Sequence, residues 1–139
     1  MHMSRYVPLM QLRKRRVLVV DDDADTRLLL SRFLAEEGFD VQTAVDGGHG
    51  VRSAVALTPD LIILDMYVPA AEFAIGLSLE YRQKVPPGAV APIIAVSAQP
   101  DLEELAQRIG AVAFLAKPFD VEELLGLVRR HIRDPATGA

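Results

Sequence analysis

The chain has no cysteine and no tryptophan among its 139 residues, and aromatic side chains make up only 6%. Without cysteine there are no disulfides, no thiolate nucleophile and no zinc–cysteine site. That absence is compatible with the cytoplasm, where disulfides are rare. Long apolar runs are missing too. No stretch approaches the roughly 18 residues that a membrane-spanning helix needs, and the N-terminus lacks the apolar core of a signal peptide. A cytoplasmic protein without a membrane span is expected. No Gly-rich loop leads into Lys-Ser/Thr, which argues against a P-loop, and Gly47-Gly48-His49-Gly50 lacks the spacing of a dinucleotide fingerprint. His49 and His131 read as exposed, unpaired side chains, and neither as a ligand.

What is present is ordinary for one soluble domain: 50% apolar and 24% charged residues in a length that suits a single core. The net charge of -4 hides an asymmetry. Residues 1–16 carry Arg5, Arg13, Lys14, Arg15 and Arg16 and no acid, which leaves 10 basic against 19 acidic residues and a net charge of -9 beyond them. Such an arm can touch nucleic acid or anionic lipid; its plainer reading is a solvated, flexible lead-in. The acidic body argues against broad nucleic-acid binding by the domain itself.

Leu61-Ile62-Ile63-Leu64-Asp65 organises the rest: an unbroken apolar run that ends in a carboxylate. A run without alternation predicts a strand covered on both faces, hence a parallel sheet. Similar runs lie at 17–20, 93–96 and 112–116, and Phe39 to Ala44 reads as a short second strand. Helical patterns fall between them. The first has Asp23 as its cap, Leu29/Phe33 and Leu30/Leu34 as i, i+4 pairs and Gly38 as its stop. Others span about 48–57 and 72–84, and a fourth starts at Asp101 and ends at Gly110. The last is capped by Asp120, with Glu123 placed close to a capping box. Strand and helix thus alternate five times, which predicts an α/β, doubly wound five-stranded parallel sheet over residues 15–133, after a basic arm at 1–14 and before a tail at 134–139.

Four of the five strands end in a functional group: Asp21 and Asp22, Asp65, Ser97, and Lys117. In a parallel sheet these gather at one edge, where ligands of open α/β folds bind. Crowded carboxylates either keep protons or share a cation. With oxygen ligands alone that cation is expected to be Mg2+. An amine and a hydroxyl beside it suit a phosphoryl group, with Asp65 as nucleophile. Taken singly, each residue has a plainer reading: Asp21 to Asp25 as helix caps, Ser97 as another cap, Lys117 as a turn residue. All of them at matching strand ends is a much less ordinary coincidence.

The chain resembles the receiver domain of two-component response regulators across about residues 15–133. The resemblance rests on Val17-Leu18-Val19-Val20-Asp21-Asp22-Asp23, on Leu64-Asp65 with Pro69 four residues on, on Ser97-Ala98, and on Phe114-Leu115-Ala116-Lys117-Pro118-Phe119. Gly47 after Asp46 and Gly110-Ala111 also fall where that family has them. It implies strand order 2-1-3-4-5, a cis Lys117–Pro118 bond and phosphorylation of Asp65 by a histidine kinase or phosphotransfer protein. It implies Mg2+ held directly by Asp22, Asp65 and the Tyr67 carbonyl, with Asp21 acting through water. Ser97 and Phe114 match the switch positions, and the face of the fourth helix, fifth strand and fifth helix would meet a downstream protein or a second copy. Phe114 has no hydroxyl, so packing alone would hold it inward; its plainer reading is a permanently buried core aromatic.

Two residues depart from the pattern. Phe73 stands where the family usually has glycine, so the loop beside Asp65 is expected to differ in shape. Tyr67 is bulky where a side chain can overlook a phosphoryl group. The expected function is a phosphorylation-controlled switch, not a turnover enzyme: the only chemistry is self-catalysed transfer to Asp65. No DNA-binding domain is expected in this chain, which reads as a stand-alone regulator or a piece of a longer protein. The competing readings are a receiver-like docking module that is never phosphorylated, and a Mg2+-dependent phosphohydrolase, for which Tyr67 is a poor general acid. If Tyr67 shields an acyl phosphate from water, Tyr67→Asn accelerates its loss. The decay of phosphorylated protein by intact mass measures this, and an unchanged decay removes that role.

Overall fold

The computed structural model describes residues 13–65 and 71–134, the side chains of 71–77 excepted. Five strands, β1 (Arg16–Val20), β2 (Asp40–Ala44), β3 (Leu61–Asp65), β4 (Ile93–Ser97) and β5 (Ala113–Ala116), alternate with five helices. The helices are α1 (Ala24–Glu36), α2 (Gly47–Leu57), α3 (Ala71–Lys84), α4 (Leu102–Arg108) and α5 (Val121–His131). A short 3-10 turn, Pro87–Ala89, precedes β4. All strand pairs are parallel, as the apolar runs predict, and the order is β2-β1-β3-β4-β5, as the family resemblance implies. Among the described residues no helix is long and apolar enough to cross a membrane.

Successive side chains of a strand point to opposite faces, and here both faces are covered. Leu18 and Val20 of β1, with Ile62 of β3 and Ile93 and Ala95 of β4, pack with Val51 and Ala54 of α2 and Leu102, Leu105 and Ala106 of α4. The intervening Val17, Val19, Leu61, Ile63, Ile94 and Val96 pack with Leu30 and Leu34 of α1 and Leu124, Leu125 and Val128 of α5. One sheet thus serves two cores, which is why its central strands are apolar without alternation.

Local signals act as expected, with three corrections. Asp23 caps α1 by accepting from the Thr26 amide, and Gly38 (φ +97°) ends the turn after it. Leu29, however, is 57% exposed: the buried stripe of α1 runs through Leu30 and Leu34 with Phe33 beside it, and Leu29 lies one helical step away. At α5, Asp120 accepts from the Glu122 amide, and Glu123 donates its own amide to the Asp120 carbonyl, so the cap is a turn at Asp120. His49 is half-buried, and its Nδ1 accepts from the Val45 amide at 3.4 Å, so it is neither exposed nor unpaired.

The register levels the strand ends. Val20 pairs with Leu64, Asp65 with Val96 and Ser97 with Ala116. Pairing continues one step further: the Asp21 amide donates to Ala44 and the Lys117 amide to Ser97, at 3.1 and 2.8 Å. Asp21, Asp65, Ser97 and Lys117 therefore leave the sheet at one edge.

At the opposite edge, Asp60 is 5% exposed and bonds residues from both ends of the described region. It takes both guanidinium nitrogens of Arg13 at 3.0 and 3.2 Å and the Arg16 amide at 2.8 Å, while its carbonyl accepts from the Arg133 amide. Between α3 and the end of α4, the Arg82 guanidinium and Ser78 hydroxyl both donate to the Ile109 carbonyl, each at 3.1 Å. Gly110 there has φ +71°, and a Cβ on it would lie 2.9 Å from Arg82 Nη2. Gly110→Ala is expected to lose about 1–2 kcal/mol of stability, whereas Gly126→Ala on α5, where a Cβ meets nothing within 4 Å, gains up to about 1 kcal/mol. Urea denaturation of the two variants gives opposite signs if these two backbones are as described.

Candidate functional site

Each functional side chain owes its place to the end of a strand. β1 stops at Val20, and Asp21 follows with only 4% exposure. Its Oδ1 accepts from the Asp23 amide at 2.9 Å, which folds the turn into α1. Its Oδ2 takes the Lys117 ammonium at 3.3 Å. The same ammonium lies 3.1 Å from Asp65 Oδ2 at the end of β3. The Lys117–Pro118 peptide is cis, as the family resemblance implies. Asp22 completes the acidic set from the exposed side, and one oxygen from each of Asp21, Asp22 and Asp65 lies within 4.8 Å of the others.

Electrostatics here are unbalanced. Three carboxylates face one ammonium, and two of them are largely withdrawn from water: the Asp65 side chain is 10% exposed and that of Asp21 4%. Burial pushes the Asp65 carboxyl up to about 6; the Lys117 hydrogen bond pulls it down, and the nearby Asp21 charge adds to the rise. Burial works against the Lys117 charge, but the Asp65 hydrogen bond and the charges of Asp65 and Asp21 outweigh it, so its pKa is raised. With every acid ionised, the cluster carries a charge of about -2 against water-poor walls, a deficit that one divalent cation balances. All three donors are hard oxygens, and the 4.8 Å spread closes with small side-chain movements around a six-coordinate ion with ligands at about 2.1 Å. The residues present therefore fit Mg2+.

Two other expected residues stand on the neighbouring strands β4 and β5. Ser97 is 1% exposed at the end of β4, and its hydroxyl accepts from the Gln99 amide at 3.0 Å. Phe114 on β5 is 43% exposed, so it is not a core aromatic; it stands outward on the edge strand. Tyr67 and Pro69 lie outside the described residues, as does the Phe73 side chain. One participant went unread in the sequence. Arg27 of α1 donates through Nη1 to the Asp21 carbonyl at 2.7 Å. Its only sequence signal is a cation four residues after the capping Asp23.

A family model described as "Response regulator receiver domain" matches residues 17–129. The chain belongs to the response regulator receiver family. Among its relatives is the DNA-binding dual master transcriptional regulator RpaA of Synechocystis, 39% identical over 121 residues, covering 85% of this chain and 49% of that protein. The transcriptional regulatory protein PrrA of Mycobacterium tuberculosis is 38% identical over 120 residues, covering 85% and 50%. The chain thus spans about half the length of these relatives. Among solved structures, the chemotaxis protein CheY4 of Vibrio cholerae superposes with a TM-score of 0.71 at 29% identity, covering 86% of this chain and 100% of that one. TrrA of Thermotoga maritima, solved in complex with Mg2+ and BeF, gives 0.70 at 29% identity, covering 85% and 99%. This receiver domain is accordingly a relative of two-component response regulators.

Without metal, the receiver's ionised Asp65 destabilises the fold. The folded state keeps the Asp65 proton up to about pH 6, whereas the unfolded chain releases it near 3.8. The cost is therefore absent below the lower value, grows between the two and is complete above the upper one. In chelator-containing buffer at pH 7.5, Asp65→Asn is expected to raise stability by on the order of 1 kcal/mol, since solvent reaching the site screens part of the cost. The gain shrinks as the pH falls from 6 to 4. A thermal-denaturation series across pH tests this; a pH-independent difference counts against the assignment.

Proposed function

We propose that this receiver is a phosphorylation-controlled signalling switch in which Asp65 accepts a phosphoryl group from a histidine kinase or phosphotransfer protein. The observation that carries the reading is the Lys117 ammonium shared by Asp21 and Asp65 beside Asp22. It assembles a nucleophile, a charge-neutralising ammonium and a cation seat at one sheet edge. An Asp65 carboxylate oxygen attacks phosphorus in line, an O–P bond forms, and the P–N bond of a phosphohistidine donor breaks. The departing electron pair returns to the imidazole nitrogen, which takes up a proton. Lys117 moves its ammonium from the Asp65 oxygen to a phosphoryl oxygen, and the Ser97 hydroxyl donates to another.

Asp21, Asp22 and Asp65, with the Tyr67 carbonyl, would hold Mg2+, Asp21 through water. The ion supplies neutralisation of the phosphoryl charge. The crystal form of TrrA with Mg2+ and BeF supports carrying this chemistry over to the present chain. Phe114 turns from its exposed position toward the space beside Ser97, and the α4-β5-α5 face changes its partner, a downstream protein or a second copy of the chain. We place the receiver at residues 15–133, between the arm at 1–14 and the tail at 134–139, and its work in the cytoplasm. It is not a turnover enzyme: its chemistry ends with Asp65 modified.

Incubation with Mg2+ and a small-molecule phosphodonor is expected to add one phosphoryl group by intact mass. The gain disappears with chelator and in Asp65→Ala, and Lys117→Ala slows it by about 100-fold or more, as for loss of a positioned charge in other sites. Labelling that survives in Asp65→Ala overturns the assignment. Continuous donor turnover without accumulation points to the hydrolase, and an unlabelled protein to the docking module.

A further inference from the structure

The Asp21 residue is held at four points, each from a different part of the fold. Its amide donates to Ala44 of β2. Its Oδ1 accepts from the Asp23 amide and its Oδ2 from Lys117. Its carbonyl, just past the end of β1, accepts Arg27 Nη1 at 2.7 Å, the shortest of the four. Among the described residues no backbone amide donates to that carbonyl. The residue is 4% exposed, so without Arg27 the carbonyl would face a water-poor interior unpaired. Arg27 is itself only half-exposed, one turn into α1 on the side that faces the strand end.

We infer that Arg27 is a positioning residue for the cation seat, fixing the β1–α1 turn so that Asp21 and Asp22 present their oxygens toward Asp65. The inference rests on the Mg2+ reading above. Two effects of Arg27 on cation binding oppose one another. As a positive charge beside Asp21, it disfavours a second cation. As a donor that locks the Asp21 backbone, it favours the ion by holding its ligands in place. The short bond to a buried carbonyl points to the second effect as the larger, because a loosened turn lets the acids relax apart.

The sign of the change on mutation decides between them. Arg27→Met keeps the apolar stem and removes both charge and donor; Arg27→Lys keeps both. Calorimetric titration of the full chain with MgCl2 is expected to show Mg2+ binding weakened roughly tenfold in Arg27→Met, as for lost supports of other metal ligands, and largely restored in Arg27→Lys. Far-ultraviolet circular dichroism and melting in chelator establish that both variants are folded. With a phosphodonor, Arg27→Met needs correspondingly more Mg2+ for half-maximal labelling but reaches a similar plateau. Binding by Arg27→Met as tight as wild type, or tighter, overturns the positioning role. If the wild type itself does not bind Mg2+, or Asp22→Ala leaves its binding unchanged, the metal reading falls and this inference with it. Wild-type binding lost in Asp22→Ala but kept in Arg27→Met overturns the inference alone.

Discussion

One ammonium group holds the two most buried carboxylates of the sheet edge, and most of what is distinctive about this receiver follows from that sharing. Lys117 lies 3.1 Å from Asp65 and 3.3 Å from Asp21. It satisfies both partly and neither fully, since one charge is set against two. A buried ion pair is weak evidence for stability in any fold, and an unbalanced one is weaker. The natural account is that the arrangement serves binding: an edge left with excess negative charge favours a cation, and a cation-loaded edge favours a phosphoryl group. Burial raises the Asp65 pKa to about 6, and the nearby Asp21 charge adds to the rise.

The fold makes this imbalance tolerable. Both faces of β1, β3 and β4 are buried, by α2, α3 and α4 on one side and by α1 and α5 on the other. Each fully buried aliphatic side chain contributes roughly 1.5–3 kcal/mol relative to exposure, so two contiguous cores can carry a few kcal/mol of electrostatic strain at one edge. The opposite edge is balanced. There Asp60 is matched by Arg13 and two backbone amides lie beside it, Arg16 on its carboxylate and Arg133 on its carbonyl. The buried acid at that edge thus has a cation of its own, whereas the edge proposed to change state sets two buried acids against one.

Much of this was legible in the residues themselves. An apolar run without alternation has one good solution, a doubly covered parallel strand, and a polar residue at its end must lie at the sheet edge. That logic located Asp21, Asp22, Asp65, Ser97 and Lys117 together. It could not locate Arg27 or the Arg13–Asp60 pair, because a guanidinium on a flexible stem reaches partners that no periodicity marks. It also misjudged Leu29, since Leu28-Leu29-Leu30 offers three equivalent apolar positions and only packing chooses among them. Phe114 is the same problem on a strand. Ala113-Phe114-Leu115-Ala116 is apolar throughout, yet β5 is an edge strand, and only Ala113 and Leu115 pack against the α1/α5 core.

That edge position bears on how a signal could leave the site. The Lys117 amide donates to the Ser97 carbonyl at 2.8 Å, so the ends of β4 and β5 are tied and cannot shift independently. β4 is buried along its whole length and has little room to move. A new charge at Asp65 that draws on Ser97 and Lys117 therefore has few outlets. Among the described residues, the least constrained are the outward Phe114 side chain and the start of α4, whose Asp101 makes no side-chain capping bond. The far end of α4 is fastened by Ser78 and Arg82 through the Ile109 carbonyl. Displacement in the proposed switch should then be largest at the near end of α4 and fade toward Gly110, which makes α4 a lever held at its C-terminus.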